Sequence, residues 1–393
     1  MTYLFILGRE PLISTAELFS VLKKQKINFT LKAWQKPFCV IETDQKISPA
    51  SLMNKLGGTI KISEILTTCK KQKMNSDGLG AVLSFLKNKG ELEKKVFFGL
   101  SFYNFNKKNR NKNWGLEIKK NLTGQEIKSR LVTSREEALS SVTVKMNKLL
   151  SERGADIILA EDGEQIWLAV TLAVQPFEEW SERDYGRPGR DAASGMLPPK
   201  LARIMLNLTN LNETAAILDP FCGSGTILTE AWLIDFKNIF GSDLSPKAVA
   251  DSQKNLTWAK AQAQVKVCDA TKLTTCYQKN FFDAIITEPY LGPPLKGKET
   301  TQQISQITNE LEKLYFTSLQ QFSQILKPGG EIVMVWPIIL NQKLNLQKKL
   351  EELPLQLVPL LSKTSWFEEQ KSLIYSRPDQ LIKREIVKIK KTP

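Results

Sequence analysis

The sequence predicts an α/β protein in which a parallel sheet flanked by helices follows an α+β amino-terminal half. From about residue 196 onward, apolar strand-like runs alternate with helical segments, as is typical of a parallel sheet. Residues 1–66 instead show the order strand, helix, strand, strand, helix, strand, which is that of a ferredoxin-like unit. The chain has 393 residues, enough for two or three domains, and its 42% hydrophobic content fits a globular protein.

The elements of residues 1–66 follow from local signals. Ser14 and Glu17 have the spacing of a capping box that opens a helix ending near Lys24. Ser48 followed by Pro49 predicts the start of a second helix. The predicted strands are residues 2–7, 27–33, 38–42 and 58–66.

Residues 67–174 are more basic, and we expect a second α+β domain here. The cationic segment 106–113 lies between aromatic residues, so it suits either contact with nucleic-acid phosphates and bases or a solvated loop. The predicted helices cover residues 77–86, a stretch reaching 128–130, and 139–149, and the predicted strands are 96–102, 157–160 and 166–174.

The net charge of +14 is placed unevenly along the chain. Residues 1–150 contain 27 Lys and Arg against 12 Asp and Glu, whereas residues 151–393 contain 28 against 29. The whole excess therefore lies in the first 150 residues. This favours a polyanionic partner for the amino-terminal half, nucleic acid above all, over a merely solubilising surface.

Some classes of chemistry are disfavoured by composition. The chain has no histidine, which removes histidine-dependent triads and histidine metal sites. The five cysteines form no C-x-x-C pair, so we expect them to be reduced, the protein to be cytoplasmic, and no metal to be bound. No apolar run approaches the roughly 20 residues of a membrane span, so no membrane partner is expected.

The carboxy-terminal half begins after residues 175–195, which are rich in Arg, Gly and Pro and are predicted to be a linker. Residues 196–393 form the predicted parallel-sheet domain. Pro198 and Pro199 begin a helix there, and residues 372–375 and 384–389 are expected to form a hairpin. The strands of the sheet are expected near residues 215, 239, 265, 283 and 331.

A glycine turn follows the first of these strands, in the run Asp219-Pro-Phe-Cys-Gly-Ser-Gly-Thr226. The turn lacks the lysine of a P-loop and the G-x-G-x-x-G of dinucleotide folds. A carboxylate at Asp219 with close approach at Gly223 and Gly225 suits a ligand with a cationic centre and an adenosine. Free N–H groups at the start of the next helix suit its carboxylate end.

Two later strands also end in acidic residues. Asp243 is placed to accept hydrogen bonds from ribose hydroxyls, about twenty residues past the glycines. Asp269, followed by Ala270, is placed to accept from an adenine amino group. The alternative for each of these aspartates, and for Asp219, is a cap on the following helix.

A second motif, Ile285-Ile-Thr-Glu-Pro-Tyr290, reads as a strand that ends in Glu288, Pro289 and Tyr290. A carboxylate and a backbone carbonyl at such a stiffened strand end can accept both N–H bonds of an exocyclic amine. The lone pair of the amine then points at a reacting group. The aromatic ring of Tyr290 is available to stack on a base.

Together the two motifs resemble D-P-x-x-G-S-G-T and D-P-P-Y of amino-group methyltransferases, and the whole chain resembles the THUMP-domain tRNA methyltransferases that act on N2 of guanosine-10. The resemblance implies a ferredoxin-like domain (1–66), a THUMP RNA-binding domain (67–174) and a Rossmann-like methyltransferase domain (196–393). It also implies S-adenosylmethionine as cofactor and tRNA as partner, and leaves open a small activator subunit. Glu288, Pro289 and Tyr290 would be catalytic, and the three aspartates with their neighbours would bind cofactor.

The chain departs from the family at the second motif. Glu288-Pro289-Tyr290-Leu291 stands where the family has D-P-P-Y, so the carboxylate gains a methylene and the aromatic residue comes one position early. Two other interpretations therefore remain open. One is a DNA adenine-N6 or cytosine-N4 methyltransferase, which shares both motifs. The other is a catalytically inactive tRNA-binding protein.

Overall fold

The computed structural model describes residues 1–90, 95–105, 113–163, 165–189, 196–378 and 380–393. The chain divides into two compact units, and the division does not follow chain order, because the first helix groups with the carboxy-terminal residues. The first unit comprises residues 1–11, 26–55 and 59–177, and the second comprises 12–25, 56–58 and 178–393.

The first unit is built on an eight-stranded sheet. Its strands are β1 (Thr2–Leu7), β2 (Phe29–Gln35), β3 (Phe38–Thr43), β4 (Thr59–Lys70), β5 (Val96–Tyr103), β6 (Ser129–Val132), β7 (Gly154–Glu161) and β8 (Gln165–Val174). They lie in the order β2-β3-β1-β4-β8-β7-β5-β6. β5 pairs in parallel with β6 and β7, and the other neighbours are antiparallel.

The second unit is built on a nine-stranded sheet. Its strands are β9 (Ala216–Asp219), β10 (Asn238–Asp243), β11 (Gln264–Val267), β12 (Phe282–Thr287), β13 (Leu326–Ile339), β14 (Gln342–Lys343), β15 (Leu355–Val358), β16 (Ser372–Tyr375) and β17 (Ile382–Lys391). The main order is β11-β10-β9-β12-β13-β17-β15, parallel through β13 and antiparallel beyond it. This confirms the predicted parallel sheet and the predicted hairpin of β16 and β17.

Helices flank both sheets. In the described residues they are α1 (Pro11–Lys24), α2 (Pro49–Lys55), α3 (Leu79–Lys89), α4 (Trp114–Thr123), α5 (Ser141–Met146), α6 (Phe177–Ser181), α7 (Pro199–Asn207), α8 (Thr226–Leu233), α9 (Pro246–Trp258), α10 (Thr301–Ile325) and α11 (Gln347–Leu350). No helix within those ranges is long and apolar enough to cross a membrane.

The core of the second unit has two layers because its strands are buried on both faces. Ile217 and Ile286 belong to one apolar cluster, while their neighbours Leu218 and Ile285 belong to the other. Successive side chains of a strand point to opposite faces, so each strand contributes to both layers. The layers rest on α7 and α8 on one side and on the long helix α10 on the other.

Two predictions for the amino-terminal half were wrong. Ser14 is not a helix cap, because α1 already begins at Pro11 and both Ser14 and Glu17 lie inside it. Glu17 instead accepts hydrogen bonds from the backbone N–H groups of Gly57 (2.8 Å) and Gly58 (2.7 Å). The stretch around residues 128–130 is not helical. Helix α4 ends at Thr123, and β6 is an edge strand that pairs with β5.

The predicted domain division remains a prediction. Residue 66 lies inside β4, which pairs with β1 on one side and β8 on the other, so the two amino-terminal segments share one sheet. The cationic segment at 106–112 lies outside the described residues. The predicted helix start at Pro199 is confirmed.

Most of the predicted linker that the structure describes packs on the second unit. Arg183 donates from Nε to Glu230 (2.8 Å), whose other oxygen accepts from the buried Arg203. Gly189 and Asn255 exchange two hydrogen bonds of 2.7 and 2.8 Å. Residues 178–189 therefore belong to the second unit and are held there by ion pairs and hydrogen bonds.

Candidate active site

A cavity of about 500 Å³ lies where the parallel strands of the second unit end. The chain runs from β9 to β10 and β11 on one side and returns to β12 on the other, so the strand order reverses beside β9. Ligands of open α/β sheets bind at such a point, outside the carboxyl ends of the strands. The predicted residues that line this cavity are Asp219, Gly223, Asp243, Asp269, Ala270, Glu288, Pro289 and Tyr290.

The ninth predicted residue, Gly225, shapes the turn beneath the cavity. It is the N-cap of α8 with a φ of 80°, in the left-handed region that favours glycine. A Cβ atom there would lie 2.4 Å from Ser252 Oγ. Gly223 also has a positive φ, of 50°, but a Cβ atom there would meet nothing within 4 Å. Gly225 is thus required by both conformation and space, and Gly223 by conformation alone.

Asp219 ends β9 and is buried. Its Oδ1 accepts hydrogen bonds from Thr287 Oγ1 (2.7 Å) and from the Phe221 backbone N–H (3.2 Å). Burial raises the pKa of the Asp219 carboxyl to about 7, and the nearby carboxylates of Asp243 and Glu288 add to the rise. A cationic group at this point would stabilise the charged form of the carboxyl and so lower its pKa.

Asp243 ends β10 and braces the glycine turn. Its two oxygens accept from the backbone N–H groups of Gly223 (3.0 Å) and Ser245 (2.9 Å). Each carboxylate oxygen can accept twice, so capacity remains for ligand hydroxyls. The turn and the acid are therefore held in fixed relation to one another.

Asp269 both lines the cavity and caps a short turn. It is the N-cap of the 3₁₀ segment Ala270–Thr275, and its Oδ1 accepts from the backbone N–H (2.9 Å) and the hydroxyl (2.7 Å) of Thr271. The capping role considered from the sequence thus holds for Asp269, together with a place in the cavity wall.

The prediction that all cysteines are reduced was wrong. Cys268 and Cys276 form a disulfide on either side of the segment that contains Asp269 and Ala270. The other three cysteines are free and buried. The spacing did not predict this pair, because the two cysteines are eight positions apart in the sequence. Only the turn between them brings their sulfur atoms together.

Glu288, Pro289 and Tyr290 follow β12 at the mouth of the cavity. The Glu288 carboxylate forms a two-point ion pair with Arg384, from Nε to Oε1 (2.6 Å) and from Nη2 to Oε2 (3.3 Å). Pro289 is buried, whereas Tyr290 is 55% exposed. The Tyr290 ring is accessible to an incoming planar group.

A buried tyrosine fixes the backbone of this motif. Tyr315 on α10 donates its O–H to the carbonyl oxygen of Tyr290 (3.2 Å). Burial raises the pKa of Tyr315 well above its usual value, and the Glu288 carboxylate adds to the rise, so the hydroxyl keeps its proton.

Sequence reasoning missed several side chains at the site. Thr287 lies within the second motif and donates to Asp219, and Leu244, which is 69% exposed in the cavity wall, follows Asp243 directly. Both could have been found from their neighbours. Arg384 had no signal, because 96 residues separate it from Glu288.

Among the residues that the structure describes, no group of three or more His, Cys, Asp or Glu side chains is arranged to hold a metal ion. The four predicted acids at the cavity, Asp219, Asp243, Asp269 and Glu288, lie instead at or just after the ends of separate strands and are bonded to backbone N–H groups, hydroxyls or Arg384.

The fold and the cavity define a parallel α/β domain with an open cavity between a glycine turn and acids at the strand ends. Residues 187–358 match the family described as UPF0020, RMKL-like, methyltransferase domain. Over these residues the second unit is similar to the methyltransferase domains of that family.

Curated relatives match part of the chain. It is 32% identical over 184 residues to tRNA (guanine(10)-N2)-dimethyltransferase of Pyrococcus abyssi, covering 46% of this chain and 50% of that protein. It is 28% identical over 225 residues to the protein of the same name from Methanocaldococcus jannaschii, covering 54% and 57%. The chain thus spans about half the length of the curated relatives it matches.

Solved structures match the chain along its length at the level of fold. TrmN from Thermus thermophilus superposes with a TM-score of 0.59 at 15% identity, covering 100% of both chains. A possible methylase from Clostridium difficile 630 superposes with a TM-score of 0.54 at 12% identity, covering 100% and 99%. These likenesses support the α/β fold class with its α+β amino-terminal half.

Proposed function

We propose that this chain transfers a methyl group from S-adenosylmethionine to the exocyclic N2 of a guanosine in tRNA, with guanosine-10 as the expected nucleotide. The observation that carries the proposal is Glu288-Pro289-Tyr290 at the mouth of a cavity whose floor holds Asp219 and Asp243. The names of the curated relatives support the nucleotide.

The cavity fits the proposed cofactor in size and in chemistry. A volume of about 500 Å³ is within the range of small-molecule sites. Asp219 would bind the ammonium group of the methionine part, Asp243 the ribose hydroxyls and Asp269 the adenine amino group. The exposed face of Leu244 offers apolar surface for the adenine ring. When bound, S-adenosylmethionine supplies a methyl group already activated on a sulfonium.

Glu288, Pro289 and Tyr290 would hold the acceptor base. The target amine lies on a base edge, so the nucleotide must be turned out of its stack to reach the cavity. The Glu288 carboxylate and a carbonyl oxygen of the motif would accept the two N–H bonds. The exposed Tyr290 ring would stack on the base. No histidine is needed for this arrangement.

The amino-terminal half would bind the tRNA. Its excess of basic residues supports this role, as does its resemblance to ferredoxin-like and THUMP domains over residues 1–66 and 67–174. Residues 175–195 would connect this half to the methyltransferase domain at 196–393. Since its proposed substrate is tRNA, we expect the protein to act in the cytoplasm. The proposal also leaves room for a small subunit that binds this chain and activates it.

A second candidate is a catalytically inactive tRNA-binding protein. The observation that favours it is the ion pair with Arg384, which engages both oxygens of Glu288. In that case the chain would bind cofactor and tRNA but would not transfer the methyl group.

Mass spectrometry of nucleosides distinguishes these functions. Purified protein alone is incubated with isotope-labelled S-adenosylmethionine and either unmodified tRNA or duplex DNA of equal charge. We expect labelled N2-methylguanosine from the tRNA and no label in the DNA. Label in adenine or cytosine of the DNA would support the DNA enzyme, and label in neither would support the inactive protein or a missing subunit.

A further inference from the structure

Arg384 and Glu288 form the closest charge contact at the proposed methyl-transfer end of the cavity. The guanidinium donates to both carboxylate oxygens, at 2.6 and 3.3 Å. The side chains of Arg384 and Glu288 are 8% and 10% exposed. A planar guanidinium bonded at two points fixes the direction of a carboxylate as well as its position.

The pair connects two strands that are not neighbours. Glu288 follows β12, and Arg384 lies on β17, with β13 between them. In the sheet, Arg384 is opposite Pro337 on β13 and Tyr375 on β16. Since both side chains are largely buried and each would lose its counter-charge if the other were removed, the pair acts as one unit.

Arg384 also stands among acidic neighbours of Glu288. The buried carboxyl of Asp219 lies close enough to Glu288 to be influenced by its charge, and Asp219 is also influenced by Asp243. The other titratable neighbour is the hydroxyl of Tyr315 on α10. Among these groups Arg384 is the one cation, and its two hydrogen bonds to Glu288 offset the repulsion between the carboxylates.

The length of Glu288 explains why a partner on β17 is needed. Glutamate is longer than the aspartate of the related motif by one carbon–carbon bond, about 1.5 Å, and gains a rotatable bond. Arg384 removes this freedom while using one acceptor position on each oxygen. A carboxylate offers about four such positions, so two remain to accept from an amine.

On these grounds we propose that Arg384 is a positioning residue for methyl transfer, holding the Glu288 carboxylate so that its remaining acceptor positions face the amine of the target base. This inference rests on the proposed function. It makes Glu288 and Arg384 a joint replacement for the shorter aspartate of the related motif.

The experiment measures steady-state methylation of tRNA by the full chain in four forms: wild type, Arg384→Gln, Glu288→Gln and the double variant. We expect Arg384→Gln to lower kcat by about 10- to 100-fold. The KM for tRNA and the Kd for S-adenosylmethionine should change by less than about threefold. In the Glu288→Gln background, Arg384→Gln should cost less than about twofold more, because Arg384 acts through Glu288.

Two further variants keep the test independent of folding. Arg384→Lys retains a cation with a single contact and should recover part of the kcat lost in Arg384→Gln. Arg377→Gln changes an exposed arginine near the same hairpin and should leave kcat unaltered. Thermal unfolding of each variant reports the folded fraction at the assay temperature.

The outcomes separate this inference from the function on which it rests. If wild-type protein methylates tRNA but Arg384→Gln keeps the wild-type kcat, or costs the same factor in both backgrounds, Arg384 is not a positioning residue. If Arg384→Gln raises KM alone, its role is in binding. If the wild type transfers no methyl group to tRNA, the proposed function fails and the inference fails with it.

Discussion

The Asp219 carboxyl group is buried at the end of β9, and burial raises its pKa to about 7. Since the folded pKa lies above the ordinary value of 3.8, this group stabilises the fold most below about pH 4. That contribution is lost as the pH rises through 7. The carboxylate that we propose to bind a cationic ligand group is therefore held where its charge is costly without one.

Asp219→Asn should make the ligand-free protein more stable while removing the carboxylate that we propose to bind the cofactor. At pH 8 we expect the apo variant to be more stable than wild type by about 2 to 4 kcal/mol, with the difference vanishing near pH 4. Urea unfolding at several pH values measures this. Glu17, whose pKa burial also raises to about 7, acts in the same window, so the difference between variant and wild type is the quantity to compare. Equal stability at all pH values would contradict the assignment.

Asp243 should contribute directly to cofactor affinity. Asp243→Ala is expected to weaken S-adenosylmethionine binding about tenfold or more, because a hydrogen bond to a charged group contributes roughly 1.5–3 kcal/mol. Calorimetric titration measures the change. Asp251→Ala is the control, since Asp251 also lines the cavity but its carboxylate pairs with Lys247 and Lys254. A similar loss in both variants would remove the specific role of Asp243.

The conformation of the glycine turn between β9 and α8 can be tested by alanine substitutions. Gly225→Ala should be more destabilising than Gly223→Ala, because both have positive φ but only Gly225 has Ser252 Oγ within 2.4 Å of the new Cβ. We expect a cost of about 1–2 kcal/mol for Gly223→Ala from the left-handed conformation, and at least about 1 kcal/mol more for Gly225→Ala. Chemical denaturation without ligand measures both. Equal costs would show that the turn rearranges.

The elements that sequence predicted well are those with a strong local signal. β9 and β12 are apolar runs that end in acids, and both were found with the residues that line the cavity. The capping box predicted at Ser14 and Glu17 was wrong because Glu17 accepts hydrogen bonds from the backbone of Gly57 and Gly58. The local sequence pattern cannot show such a contact. β6 was missed because four residues on the edge of a sheet carry little periodicity. The ion pair of Glu288 depends on three strands meeting, so it could be seen only in the fold.

At the scale of the whole molecule, the two units do not correspond to two halves of the chain. Residues 12–25, which contain most of α1, group with the carboxy-terminal residues. A fragment ending near residue 174 would keep α1 without the residues with which it groups. Binding of nucleic acid is therefore best measured on the full chain.

The affinity for tRNA should fall steeply with salt, because basic residues that contact phosphates release counterions. We expect at least about a 100-fold loss between 50 and 200 mM salt, measured by filter binding. Reversing the charge of the exposed Lys119 and Lys120 on α4 should reduce the slope. The same change at the exposed Lys348 and Lys371 in the second unit should not. Equal effects of both pairs would contradict a binding role for the amino-terminal half.

Site-resolved methylation measures whether the protein methylates a guanosine of tRNA through Glu288. Full-length wild type and Glu288→Ala are incubated with labelled S-adenosylmethionine and a tRNA transcript, and the label is located by mass spectrometry of nuclease fragments. We expect wild type to place N2-methylguanosine at position 10, and a transcript with adenosine there to remain unlabelled. Glu288→Ala should bind cofactor and tRNA but lose roughly 10²–10³ in rate. A wild-type rate from Glu288→Ala, or methylation of the transcript with adenosine at position 10, would show that this site does not methylate guanosine-10.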